Sequence, residues 1–120
     1  MKNPELNAFV KERVNIMLES SHTYKDLKAC CQAWLDAEGT DKEPEALKAL
    51  LAEAEADVMD LDHVIQIVTS EGGKRYFGEA VAKAYHEEAV RRKNNGEKWC
   101  FCEACVASRE LTEKKAEILA

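Results

Sequence analysis

The sequence predicts an all-α fold, a compact bundle of five to six mostly antiparallel helices. Three observations carry this. Apolar residues recur with the helical period almost throughout the chain. No stretch alternates convincingly with a period of two. The breaks between stripes are short and rich in capping residues, which favours antiparallel neighbours.

The first helix opens on Asn3 as cap, with Pro4 at the first helical position, where a missing N–H costs nothing. Leu6, Phe9, Val10, Val14, Met17 and Leu18 form its stripe, and Ser20-Ser21-His22 interrupts it. Thr23 and Asp26 resemble a capping box for a second helix carrying Tyr24, Leu27, Cys31, Trp34 and Leu35, ended by Gly39. Thr40 and Glu43 form a better box for a third, through Leu47, Leu50, Leu51, Ala54 and Val58, with Pro44 tolerated in its first turn.

Asp60 caps a short fourth helix that is apolar on more than one side, as a central buried helix would be. Gly72-Gly73 stops it. A fifth helix, 74–94, is expected to turn Tyr76, Phe77, Ala80, Val81, Ala84 and Tyr85 inward. Asn94-Asn95-Gly96 ends it. After an irregular link, a last helix over 103–119 carries Ala104, Ala107, Leu111 and Ile118 on one face. Residues 1–96 thus read as the bundle core. Residues 97–120 read as a Cys-rich link and C-terminal helix of the same single domain.

A chain of 120 residues buries enough surface to be stable without disulfides or metal. No run approaches the ~18 apolar residues of a membrane span, and the N-terminus lacks the apolar core of a signal peptide. A cytoplasmic location follows as the expectation. In a reducing compartment, clustered thiols point to metal or redox chemistry more than to a disulfide framework. The odd count of five cysteines leaves one over in any paired scheme.

The net charge of −6 is concentrated between residues 41 and 71, where nine acids face Lys42 and Lys48. An acidic protein gains nothing from releasing counterions on a phosphate backbone, which argues against nucleic acid as a partner. The acidic stretch reads as a solvated face.

Chemistry concentrates in Trp99-Cys100-Phe101-Cys102-Glu103-Ala104-Cys105. The Cys102–Cys105 spacing suits a first helical turn, where N–H groups and the positive end of the dipole favour thiolates. Cys100 can fold back towards the same point. Three converging thiolates make most of a tetrahedral zinc site, with an iron–sulfur cluster as the alternative cofactor.

A fourth ligand is then needed. Cys30 is the expected one, since it sits about 100° round the second helix from the core stripe of Cys31. Cys31, His22, His86 and a partner chain stay open. Redox chemistry without metal is the second reading of the cluster, and reduced cysteines serving as small hydrophobes is the bland one. The motif is not W-C-x-x-C, and no βαβ pattern surrounds it, so thioredoxin-type chemistry is disfavoured.

Other candidates read as structural. Arg91, Arg92 and Lys93 complement a helix C-terminus. His63 sits in a first turn beside Asp60 and Asp62. Gly72-Gly73-Lys74-Arg75 lacks the spacing of a phosphate loop. No catalytic triad or paired-carboxylate arrangement stands out, so the sequence nominates no catalytic residue.

Asn3-Pro4-Glu5-Leu6, Ala33-Trp34-Leu35-Asp36-Ala37, Gly39-Thr40-Asp41-Lys42-Glu43 and the terminal Cys-x-Cys-x-x-Cys together resemble a small uncharacterised bacterial all-helical family, whose members are sometimes labelled heat-shock chaperones. The resemblance covers nearly the whole chain and implies no activity. The chain has no nucleotide motif for an ATP-dependent chaperone. Redox-switched heat-shock chaperones hold zinc with separate C-x-C and C-x-x-C pairs. Here the two pairs share Cys102, so three thiols stand where four would, and no functional residue carries over.

The expected function is therefore a small metal-binding helical protein, zinc first, acting as an interaction or regulatory module. A redox sensor and a metal-free chaperone-like bundle are the alternatives. A protein partner or second copy would dock on Leu111 and Ile118 of the last helix.

Overall fold

Asn3 sets the first helix as its sequence predicts. In the computed structural model, which describes residues 1–120, its Oδ1 accepts the N–H groups of Glu5 and Leu6 at 3.0 and 3.2 Å. The other caps depart more from expectation. Thr23 does not cap the second helix; Tyr24 takes that position without a side-chain bond, and the Thr23 hydroxyl is buried without a partner. Thr40 shapes the turn before the third helix, donating to the Ala37 carbonyl at 2.7 Å and accepting the Lys42 N–H at 3.2 Å. Glu43 does not close a box with Thr40. Its carboxylate receives the Met1 ammonium at 2.6 Å.

Eight helices result: α1 (Pro4–Glu19), α2 (Lys25–Ala37), α3 (Glu43–Asp57), α4 (Leu61–Val68), α5 (Glu71–Phe77), α6 (Glu79–Asn94), α7 (Glu103–Glu113) and α8 (Lys115–Leu119). The all-α class holds, and the count exceeds the five to six expected. Two local events add the extra elements. The expected fifth helix is divided at Gly78, whose φ of 84° and ψ of 149° no residue with a Cβ adopts readily. The expected last helix breaks at Lys114.

Gly72-Gly73 does not stop a helix. Ser70 caps α5, accepting the Gly73 N–H at 3.0 Å, so both glycines lie in that helix's first turn. Gly73 is there for close approach, because a methyl group on it would stand 1.9 Å from the Ile67 carbonyl oxygen.

The chain divides into two compact units, one of Met1–Val58 with Phe101–Ala120 and the other of Met59–Cys100. The first holds α1, α2, α3, α7 and α8 around a core that includes Val14, Met17, Trp34, Leu50, Leu51 and Leu111, none of them exposed. α7 packs on both α1 and α3. The expected docking face on the last helix is spent in this core, since Leu111 is 0% and Ile118 5% exposed.

The second unit holds α4, α5 and α6. α4 buries Leu61, Val64 and Val68, a single face at helical spacing rather than several. α6 packs on α4, and the residues it buries, Ala82 and Ala89, are small. The expected inward stripe is overturned here. Tyr76 on α5 is 66% and Val81 on α6 45% exposed, because the break at Gly78 divides the stripe between two helices with separate registers. Phe77 packs instead on its aromatic neighbours, 4.8 Å from Tyr76 and 5.5 Å from Tyr85 between ring centres.

The cations expected at the end of α6 are placed as that reading requires. Arg91 pairs with Glu88, Arg92 with Glu88 and Glu97, and Lys93 with Asp62. No helix is long and apolar enough to cross a membrane.

Candidate metal centre

Backbone pairing places the first thiol. The Leu61 N–H donates to the Lys98 carbonyl at 2.7 Å, and the Cys100 N–H donates to the Met59 carbonyl at 2.9 Å. Asp60 and Trp99 thereby form an isolated antiparallel bridge. Asp60 also caps α4 by accepting the His63 N–H at 2.8 Å, so one residue anchors both a helix start and the strand-like link. The Lys98 ammonium lies 4.8 Å from the centre of the Trp99 ring.

Helix capping places the other two. Cys102 is the N-cap of α7, with φ −68° and ψ 154°, and its Sγ accepts the Cys105 N–H at 3.4 Å. A thiol in this role does what Ser or Asp does at most helix starts. Cys105 follows in the first turn, on the same side.

The Sγ atoms of Cys100, Cys102 and Cys105 all lie within 4.8 Å of one another. Cys100 and Cys105 are 5% and 6% exposed, while Cys102 is half-buried and no disulfide joins any of the cysteines. Sulfurs this close can share one metal ion, since ligands at about 2.3 Å from a zinc ion must themselves converge.

Three of the four expected ligands come together; Cys30 does not join the group. Burial pushes its thiol pKa up, and the carboxylates of Glu53, Asp26 and Asp57 raise it further. Such a setting keeps the proton on sulfur, where a metal ligand must lose it. Cys31 is fully buried in the core, and its thiol is pushed up to about 12, chiefly by burial. His22 and His86 also lie outside the group.

The same corner gives a pH effect. Burial, with a hydrogen bond and negative charge from Glu53, raises the Asp57 carboxyl from 3.8 to about 6. The folded state therefore binds this proton more tightly than the unfolded chain does. Stability should be greatest at and below pH 4 for this group and fall as pH rises towards 6. Solvent screening at a half-exposed carboxyl keeps the effect modest. Asp57→Asn should flatten the slope over that window in urea denaturations run at a series of pH values. An unchanged slope would show that Asp57 is not its source.

The sequence did not foresee the pairing of Met59–Leu61 with Lys98–Cys100. It joins residues far apart in the chain, and the Asp60 cap was the sole local sign of order there. No protein-family model, curated protein or solved structure matches this chain. The fold and the site define an all-helical protein with a three-cysteine cluster close enough to hold a metal ion.

Proposed function

We propose that this is a small metal-binding helical protein whose ion sits on Cys100, Cys102 and Cys105, and that it works as an interaction or regulatory module in a reducing compartment. The observation that carries this reading is the convergence of the three sulfurs within 4.8 Å. The bound ion ties the link to the first turn of α7 and so holds that helix start in register. Zinc is the first ion to test, and an iron–sulfur cluster would have to find a further ligand outside the group.

Protein produced in medium supplemented with zinc and iron should carry close to one equivalent of metal by elemental analysis. Cys102→Ser should lose it and stay folded, because serine is a better N-cap than the thiol it replaces. Wild-type protein that, under reducing conditions, retains less than about a tenth of an equivalent of every thiophilic ion offered to it would rule the reading out.

A further inference from the structure

Three sulfurs are an incomplete set for zinc, which takes four ligands in a structural site. The ligand atoms that lie within 4.8 Å of one another are these three sulfurs. The donor set suits an ion that is satisfied by three thiolates, with its remaining position filled by its own lone pair. Soft thiolates favour soft ions in general, and trivalent arsenic and antimony meet the coordination requirement as well.

Burial points the same way. Cys100 and Cys105 are 5% and 6% exposed, so a net charge on the cluster is costly to keep. Zinc on three thiolates carries a net charge of minus one, in a protein whose net charge is already −6. A trivalent ion on three thiolates is neutral. From coordination number and charge together, we infer that the cluster of Cys100, Cys102 and Cys105 takes a three-coordinate trivalent thiophile of the arsenite class in preference to zinc. This rests on the reading of the three cysteines as a metal site.

The binding step balances without any redox partner. One As(OH)₃ and three thiols give one As(S–Cys)₃ and three waters. Three As–O bonds break, three As–S bonds form, each thiol proton leaves in a water molecule, and arsenic stays trivalent. The cap on α7 survives, because Cys102 Sγ can still accept the Cys105 N–H.

The test uses the full reduced chain and arsenite itself, with non-denaturing mass spectrometry as one readout and cysteine alkylation as the other. One arsenic per chain is expected, replacing three hydrogens, with Cys100, Cys102 and Cys105 protected from alkylation. Zinc-loaded protein should release its zinc to excess arsenite. Cys102→Ser should lose arsenic on desalting, with its helical circular dichroism intact, while Cys30→Ser should keep it. That control matters because Cys30 and Cys31 are adjacent thiols.

If zinc binds at one equivalent and arsenite fails to displace it, this inference falls and the metal-site reading stands. Retention of neither ion overturns both. Equal retention by Cys102→Ser and wild type would place the arsenic elsewhere and overturn the inference alone.

Discussion

Trp34→Ala should lower stability by about 3–5 kcal/mol, the usual cost of removing a buried indole. Trp34 is 0% exposed and lies in the core with Leu27, Cys31, Leu50 and Leu51. Its Nε1 is buried without a hydrogen-bond partner, so the ring contributes through packing alone. Trp34→Phe should therefore cost far less, under about 2 kcal/mol, since it keeps most of the ring and removes an unpaired donor. Urea titrations of the two variants test this. A Phe variant as unstable as the Ala variant would mean that the indole N–H is paired after all.

Leu111→Asp should be still more damaging, at more than about 4 kcal/mol, a large share of a small protein's whole stability. Leu111 is 0% exposed on α7, which packs on both α1 and α3. A carboxylate there loses its water and gains no partner. Circular dichroism and light scattering on the same sample separate this from a docking role. A folded variant with only its oligomeric mass altered would show that Leu111 belongs to an interface between chains.

How much of this was legible in the sequence varies with the range of the interaction. Asn3 with Pro4, and Asp60 ahead of His63, act within one turn, and both caps were readable. The thiol cluster was readable for the same reason, since its three sulfurs fall within six residues. Thr23 and Glu43 misled because tertiary burial or pairing overrode the local box. One hydroxyl was buried, and one carboxylate was taken by the Met1 ammonium.

The stripe of Tyr76, Val81 and Ala84 has good helical spacing, yet a single glycine at positive φ divides it between two helices, and all three residues are exposed. Cys30 had suitable chemistry as a fourth ligand. Its sulfur lies outside the group of three, part-buried beside Glu53 and Asp57 of a neighbouring helix, a placement that spacing along the chain does not reveal.

The hydrogen bond from Cys100 to Met59 has a consequence for how the chain tolerates change in length. The ends of the excursion from Met59 to Cys100 are held together at 2.9 Å, so the chain departs and returns at nearly one point. Residues gained or lost within its loops leave that point where it is, and loops absorb such changes cheaply. One residue gained or lost inside Met59–Leu61 or Lys98–Cys100 is a different matter. Side chains on a paired extended segment alternate in direction, so a slip of one would turn Cys100 away from Cys102 and Cys105. Insertions are thus cheap in the loops between the helices of this segment and ruinous at its two ends.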